Sequence, residues 1–227
     1  MSDLSSRDTA LFNTLKAKLN TALMGDVLDT MGYETQFLPP TLRPLDLNSK
    51  IVGRAMPVLE AEYRSSGGAA DHKGPLGNRS FGLMMEALDS LQPNEIYIAS
   101  SSSFGAAPPF AFWGGLMSTR ASYLKAAGAI VNGYSRDTDE ILRLGFPDQG
   151  PRGKVIDYRC PIDIGGVKIN PGDLIFADKE GVLVIPGPVE EKCIALALQK
   201  AEAEDGFAAA VKGGMSVVEA FAKFGVM

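Results

Sequence analysis

Two segments of this sequence carry residue types that bind anions and metal ions, and the first spans residues 113–118, WGGLMS. A Gly-Gly pair ahead of a helix leaves backbone N–H groups uncovered by side chains. The amino terminus of a helix also carries a partial positive charge that favours a bound carboxylate. The backbone N–H groups of Leu116 and Met117 are therefore candidates to bind a substrate carboxylate.

The second segment, NGYSRD at residues 132–137, places a cation beside a carboxylate after a predicted strand. Arg136 offers a permanent positive charge and paired N–H donors that match a carboxylate. Asp137 offers the oxygen ligands that Mg²⁺ prefers. A 2-oxo acid chelates such an ion through its carboxylate and keto oxygens, and the ion acts as a Lewis acid when breakage of a carbon–carbon bond forms an enolate.

The order of the predicted helices and strands suggests that these two segments lie close together. A helix follows the first segment, and the next strand runs back and ends at the second segment, so the two turns are expected to lie close together. The residues also have a simpler interpretation, which their spacing alone favours: Gly-Gly before a helix is ordinary turn chemistry, and Arg136 with Asp137 is an ordinary surface ion pair.

Composition excludes several other kinds of site. The 227 residues include one histidine, His72, so one chain has no set of histidines for a zinc site, and no G-x-S-x-G motif accompanies it. Phosphate-binding and dinucleotide-binding glycine motifs are absent. The net charge of −5 and the lack of a Lys/Arg cluster argue against nucleic acid as a partner. No leader and no apolar run near 18 residues is seen, so the expectation is a cytoplasmic protein with no membrane partner.

The spacing of apolar residues predicts a mixed α/β domain. Asp26 is placed at the start of the second helix, and Asp178 with Glu180 in a hairpin turn. The late segment, with its tight turns, predicts antiparallel strands and a barrel-like or sandwich core. The predicted helices are 7–20, 21–31, 81–91, 116–127, 187–205 and 216–224, and the predicted strands are 51–62 with a break at Pro57, 95–99, 129–133 and several within 155–186.

Residues 113–140 resemble the core signature of the class II 4-hydroxy-4-methyl-2-oxoglutarate (4-carboxy-4-hydroxy-2-oxoadipate) aldolases and their RraA-like relatives. That signature is an Asp, twenty residues, Arg-Asp, two residues, and a Glu or Asp. Arg136 and Asp137 match its centre and Glu140 matches its trailing acid, whereas Gly115 stands in place of the leading Asp. The segments GDVLDTMGY, ALDSLQPNEIYIA and IGGVKINPGDLIFADKEGVLVIP resemble other parts of the family, so the resemblance covers nearly the whole chain.

The resemblance implies a single RraA-like domain over residues 1–227, an α/β sandwich around a small β-barrel of the swivelling β/β/α type. It implies a homotrimer or homohexamer with the active site at a subunit boundary. Asp137 would ligate Mg²⁺ or Mn²⁺, and Arg136 would contact pyruvate and stabilise its enolate. The backbone of Gly115, Leu116 and Met117 would hold the pyruvate carboxylate.

The function expected from the resemblance is that of a divalent-metal-dependent lyase acting on small 2-oxo acids, as a 4-hydroxy-4-methyl-2-oxoglutarate aldolase, an oxaloacetate decarboxylase, or both. The alternative is a non-catalytic RraA-type regulator that binds a ribonuclease partner. Such regulators typically lack the trailing acid, so Glu140 favours the enzyme. His72, in a Gly-rich loop, is a possible supporting residue as an acid or base, although a lone loop histidine is more often simply exposed.

Overall fold

The structure, a computed structural model, describes residues 2–61, 76, 79, 81–101, 111–144 and 154–226. Helices and strands alternate through the first two thirds of these residues, and the last third holds a run of strands followed by two helices. The helices are α1 (Ser2–Lys18), α2 (Thr21–Thr30), α3 (Met84–Asp89), α4 (Gly115–Tyr123), α5 (Thr138–Leu144), α6 (Glu190–Lys212) and α7 (Val217–Phe224), with a 3₁₀ turn at Gly187–Val189 before α6.

The strands include one long central strand and several short ones. They are β1 (Ile51–Ala61), β2 (Glu95–Ser101), β3 (Ala111–Trp113), β4 (Gly128–Val131), β5 (Tyr134–Ser135), β6 (Lys154–Tyr158), β7 (Ile162–Ile164), β8 (Val167–Ile169), β9 (Leu174–Asp178) and β10 (Gly181–Ile185).

Six strands form a mixed central sheet in the order β10-β9-β1-β2-β4, with β6 also paired to β1. The β1-β2 and β2-β4 pairs are parallel, whereas β1 pairs antiparallel with β9, β9 with β10, and β1 with β6. The mixed α/β fold class predicted from the sequence is confirmed. Within the described residues the sheet is open, and its strands do not close into the barrel that was expected.

Alternate residues of the sheet face two different layers, as the pleat requires. One face carries two apolar clusters. In the first, residues such as Val52 and Phe176 pack against α1, α2 and α6. In the second, Met56 and Tyr97 pack with side chains of α3, α4 and α5. The opposite face, represented by Ile96, is covered by the β7-β8 hairpin and by the segment around residues 38–42. The helices near the candidate site are therefore held on one face of the sheet by a buried apolar layer.

Pro57 does not break β1, contrary to the sequence prediction. The strand runs through all 11 residues, and along one edge its partner changes from β9, paired at 51–54, to β6, paired at 58–61. The carbonyl of Pro57 accepts a hydrogen bond from Arg159 N at 2.7 Å. A proline lacks an N–H donor, and the position between two partner strands tolerates that loss.

Three further differences concern α4, β4 and α5. α4 ends at Tyr123 rather than running to residue 127, because Lys125 adopts a left-handed conformation with φ of +61°. Gly128, which directly follows the predicted helix, begins β4, where an added Cβ would lie 2.8 Å from Cδ1 of Ile51. The short helix α5 at Thr138–Leu144 was not predicted at all.

The start of α2 is also set differently from the prediction. Asn20 is the N-cap residue, with its side-chain oxygen accepting from Leu23 N at 2.8 Å, and Asp26 lies inside the helix and pairs with Lys200 of α6. Asp178 does accept from Glu180 N within its hairpin turn, as predicted. The same carboxylate also accepts from the backbone N and the hydroxyl of Thr21, at 2.9 and 2.7 Å, and so ties α2 to the sheet.

None of the helices described by the structure combines the length and apolar character needed to cross a membrane.

Candidate active site

A short parallel ladder brings the two chemistry-bearing segments together. Strand β3 pairs with β5, with Ala111 opposite Tyr134 and Trp113 opposite Ser135. Because the two strands are parallel, the residues that follow them leave the ladder side by side. The Gly-Gly pair follows β3 and the Arg-Asp pair follows β5, so the proximity that the chain order suggested is present in the structure.

Asp137 contacts the amino terminus of α4 directly. Its Oδ2 accepts a hydrogen bond from Gly115 N at 3.2 Å. Gly115 is the first residue of α4, after Gly114 as the N-cap. The next two N–H groups, of Leu116 and Met117, have no acceptor inside the helix, because the first turn of a helix offers none. Asp137 thus occupies one donor of this terminus, and the next two point in the same general direction along the helix axis.

The backbone of Asp137 is left-handed, with φ of +62°. Aspartate is one of the few non-glycine residues that tolerate this region. Its carbonyl accepts from Glu140 N at 2.9 Å and from Ile141 N at 3.1 Å, so Asp137 also begins helix α5. Because of this sharp turn, Asp137 follows β5 and begins α5, while its side chain points back to Gly115. Left-handed non-glycine residues recur at functional sites, where the surrounding structure maintains them.

Arg136 and Asp137 form an exposed ion pair. Nε of Arg136 lies 3.5 Å from Oδ2 of Asp137, and the two side chains are 49% and 43% exposed. A pair this exposed contributes little to stability. Arg136 nevertheless lies against the glycines, since a Cβ added to Gly114 would be 3.2 Å from its Nε. The guanidinium therefore stands beside the amino terminus of α4.

Glu140 reaches the same place from the first turn of α5. It lies three residues after Asp137, and its backbone N–H donates to the carbonyl of Asp137 at 2.9 Å. Its carboxylate lies over Gly115, because an added Cβ there would be 2.3 Å from Oε2 of Glu140. The first turn of α4 is thus bordered by one guanidinium and two carboxylates.

The floor of this site is rigid and apolar. Trp113 is 1% exposed, and its indole N–H donates to the buried hydroxyl of Ser118 at 2.7 Å. The ring also packs against Tyr97 of β2, with centroids 4.8 Å apart. Met117 and Ile141 are buried in the same core cluster, one from α4 and one from α5. The two helices that carry the candidate residues are therefore fixed relative to each other by packing beneath the site.

The donor set suits a hard divalent cation that keeps most of its water ligands. Asp137 and Glu140 supply carboxylate oxygens, and Mg²⁺ is commonly bound by one or two carboxylates plus water. Among the residues that the structure describes, no cluster of three or more His, Cys, Asp or Glu side chains has metal-site geometry. The described part of one chain can thus provide at most a two-carboxylate site here.

His72 lies outside the described residues, and its supporting role stays a prediction. Sequence reasoning did not single out Glu60, which is 2% exposed at the carboxyl end of β1. It pairs in register with Ser101, at the carboxyl end of the parallel strand β2. Burial raises the pKa of the Glu60 carboxyl to about 8. The available signal was an acid directly after the apolar run of a predicted buried strand.

Comparison with known proteins places this geometry in context. The chain is 28% identical over 216 residues to protein DlpA of Legionella pneumophila, covering 88% of this chain but only 32% of that longer protein. It is 25% identical to a Halalkalibacterium halodurans protein provisionally named 4-hydroxy-4-methyl-2-oxoglutarate aldolase, covering 92% of this chain and 93% of the relative. The first of these relatives is therefore about three times the length of the matched region.

A solved structure shows the same fold. The RraAS2 protein of Streptomyces coelicolor, described as an unusual member of the RNase ES inhibitor RraA family, superposes with a TM-score of 0.71 at 22% identity over 87% of this chain and 95% of that one. The RraA-like family, described as Aldolase/RraA, matches residues 21–184, a range that includes the whole β3-α4-β4-β5-α5 region. This chain therefore belongs to the RraA-like (Aldolase/RraA) family.

Proposed function

We propose that this protein is a divalent-metal-dependent lyase that cleaves or decarboxylates small 2-oxo acids through a pyruvate enolate. The observation that carries the proposal is the meeting of Arg136 and Asp137 with the amino terminus of α4, where Asp137 Oδ2 lies 3.2 Å from Gly115 N. One small surface there combines anion donors, a fixed cation and hard oxygen ligands. Relatives named for 4-hydroxy-4-methyl-2-oxoglutarate aldolase activity support the same reaction class.

Substrate binding uses the free donors of α4. The N–H groups of Leu116 and Met117 donate hydrogen bonds to the carboxylate of the 2-oxo acid, assisted by the positive end of the helix. Arg136 stands beside them, and its planar fork spans a carboxylate oxygen and the keto oxygen together. The buried ring of Trp113 and the side chain of Met117 hold this end of the helix in place, so the donors are oriented before the substrate arrives.

In the reaction, the bond between C3 and C4 of the substrate breaks and its electron pair moves onto the keto oxygen as an enolate. In the aldol cleavage the 4-hydroxyl loses its proton and becomes a carbonyl, and in the decarboxylation CO₂ leaves. Protonation of C3 then yields pyruvate in both cases. Arg136 stabilises the negative charge on the enolate oxygen. Asp137 and Glu140 would hold Mg²⁺ or Mn²⁺, whose contribution is Lewis-acid chemistry toward the keto group.

The site lies in a region of exposed apolar side chains, which supports self-association as a homotrimer or homohexamer. Leu116 on α4 is 80% exposed, Tyr123 at the other end of α4 is 76% exposed, and Tyr134 on β5 is 63% exposed. Large apolar side chains grouped in this way commonly mark an interaction surface. A second copy packed here would exclude water from the site and add groups to its partly formed ligand set.

The test is release of pyruvate from 4-hydroxy-4-methyl-2-oxoglutarate and from oxaloacetate, measured with Mg²⁺, with Mn²⁺ and with EDTA. We expect turnover of at least one substrate that EDTA abolishes. Asp137→Asn should abolish the same turnover and leave the far-ultraviolet circular dichroism spectrum unchanged, because Asp137 is exposed. Asp139→Asn, the same change on a neighbouring acid, is the matched control and should remain active.

Absence of metal-dependent pyruvate release from both substrates would refute the lyase proposal. Direct binding to a ribonuclease partner would then support the alternative, a non-catalytic regulator of the RraA type.

A further inference from the structure

Glu60 carries a buried carboxyl group for which the fold provides no binding partner. The residue is 2% exposed near the carboxyl end of β1, and among the described residues its side chain makes no hydrogen bond or ion pair. Burying a carboxyl group without a partner costs free energy. Since no contact within the described part of the chain compensates this cost, Glu60 is a candidate for a role outside stability.

The Glu60 side chain lies on the face of the sheet that carries the candidate site. Val58, two residues earlier on β1, belongs to the buried cluster that includes Trp113 and Met117. Side chains alternate along a strand, so Glu60 shares the face of Val58. The intervening residue, Leu59, packs against the cluster on the opposite face. Glu60 therefore faces the layer of helices that includes α4.

Glu60 also lies at the same end of the sheet as the amino terminus of α4. The segment after α4 begins β4 beside the start of β2, where Ala127 N donates to Glu95 O at 2.7 Å, so the helix runs antiparallel to these strands. At about 1.5 Å per residue, α4 extends about 13 Å back toward their carboxyl ends. Glu60 pairs in register with Ser101, the last residue of β2. Ligands of open α/β sheets bind at this end of the parallel strands.

The gap between Glu60 and the candidate site has the width of a small substrate. Strand β2 lies between β1 and β4, and from the end of β4 the chain continues through β5 to Arg136 and Asp137. Neighbouring strands are about 4.8 Å apart, so the ends of β1 and β4 are separated by about 10 Å. A 2-oxo acid whose carboxylate is bound at α4 would extend into this gap.

The charged groups around Glu60 do not determine its protonation. On β6, Lys154 and Asp157 pair in register with Ala61 and Leu59, so they belong to the opposite face. The charged residues of the helices on the Glu60 face are Glu86 and Asp89 of α3, Arg120 of α4, and Asp139, Glu140 and Arg143 of α5. Burial by itself raises the pKa of the Glu60 carboxyl to about 8. A carboxyl with this pKa exchanges protons readily near neutral pH.

The proposed reaction needs a group that takes up a proton and later returns it. Aldol cleavage removes the proton of the 4-hydroxyl, and formation of pyruvate adds a proton at C3. Arg136 keeps its proton throughout, because a guanidinium does not deprotonate in proteins. In the proposed function, Asp137 and Glu140 hold the cation. The proton carrier is therefore a group beyond these three.

We propose that Glu60 is the acid–base group of the candidate site, taking the proton of the substrate 4-hydroxyl and returning it to C3 of the enolate. This inference rests on the proposed function, since it concerns the same reaction. In aldol cleavage, the Glu60 carboxylate takes the hydroxyl proton. The O–H electron pair forms the new carbonyl, and the C3–C4 pair forms the enolate. The neutral carboxyl then protonates C3 as the keto group re-forms, which restores the carboxylate. In decarboxylation CO₂ leaves without loss of a proton, and Glu60 takes from water the proton that it gives to C3.

The experiment measures exchange of the methyl protons of pyruvate for deuterium in D₂O with Mg²⁺, followed by proton NMR. Exchange requires removal and return of a proton at C3 and breaks no carbon–carbon bond, so it does not depend on which 2-oxo acid is cleaved. Glu60→Gln should slow the exchange by about 10²-fold or more. Glu202→Gln, the same change at an exposed acid on α6, should leave the rate near that of the wild type.

The pH dependence separates a proton carrier from a packing residue. In the wild type the exchange rate should rise with pH and level off above about 8, because only the ionised carboxylate takes up a proton. Glu60→Gln should lack this rise. Glu60→Asp shortens the side chain but keeps an acid, so it should slow the exchange and retain the rise. The aspartate variant answers the question even if Glu60→Gln does not fold.

Two results would overturn the role of Glu60 and leave the lyase proposal standing. One is wild-type exchange in Glu60→Gln. The other is a wild-type protein that releases pyruvate from a 2-oxo acid but does not catalyse the exchange. If the wild type neither exchanges the methyl protons nor releases pyruvate from any substrate tested, the role of Glu60 and the lyase proposal are both wrong.

Discussion

Replacing Glu60 with glutamine should change how the stability of this protein depends on pH. Glu60 is 2% exposed, and burial raises the pKa of its carboxyl from 4.5 to about 8. The folded state therefore keeps a proton that the unfolded chain releases. The contribution of Glu60 to the free energy of unfolding is therefore fully present below pH 4.5. It is lost progressively as the pH rises from 4.5 through about 8.

The size of the effect follows from the pKa difference. Each pKa unit corresponds to about 1.36 kcal/mol, so the wild type should lose roughly 3 kcal/mol of unfolding free energy between pH 4.5 and 7. The total loss should reach at most about 5 kcal/mol above pH 8. Glutamine has the shape of the protonated acid and no charge to bury. Glu60→Gln should therefore match the wild type near pH 4.5 and exceed it progressively at higher pH.

The assay is urea unfolding followed by circular dichroism at intervals from pH 5 to 9. Glu202→Gln, a substitution of an exposed acid on α6, is the control and should leave the wild-type pH dependence in place. A parallel pH profile for Glu60→Gln and the wild type would refute the reasoning, because it would mean that the folded state does not hold the Glu60 carboxyl in its neutral form.

Three further results are expected. Arg136→Lys should lower kcat by about 10²–10³ while Mn²⁺ affinity stays near wild type, since lysine lacks the planar fork; an unchanged kcat with a raised KM would assign Arg136 to substrate recognition instead. Asp178→Ala should lower the free energy of unfolding by about 1–3 kcal/mol in urea titrations, because Thr21 loses two hydrogen bonds to a carboxylate that is 8% exposed, and an unchanged midpoint would contradict this. Leu116→Glu should reduce the mass observed by sedimentation velocity at micromolar concentration, and an unchanged mass would exclude Leu116 from a subunit interface.

Local patterns were sufficient where the deciding interactions are local. The final helix was predicted at 216–224, and Ser216 does cap it through a reciprocal pair of hydrogen bonds with Glu219. The hairpin turn between β9 and β10 was recognised from its DKEG sequence, and Asp178 does bond to Glu180 N. In both cases donor and acceptor lie within three residues of each other, so the sequence contains the whole interaction.

Predictions failed where a distant segment decides the conformation. Gly128 directly follows the predicted helix, but it begins β4, where an added Cβ would lie 2.8 Å from Cδ1 of Ile51 in β1. Asp178 was placed correctly in a hairpin turn, but its sequence context did not reveal that it also accepts from Thr21, 157 positions away. Pro57 predicts a strand break, and only the arrangement of β9 and β6 along β1 shows why none occurs.

The sequence by itself determined the residue types of the candidate site, the presence of Arg136 and Asp137 after a strand, and the family to which the signature belongs. Only the tertiary structure placed Asp137 at 3.2 Å from Gly115 N and Glu140 over the same glycine. The physical reason is that these contacts depend on the parallel β3-β5 ladder and on the left-handed turn at Asp137. The ladder joins two segments that lie more than twenty residues apart, so the residues within either segment do not specify it.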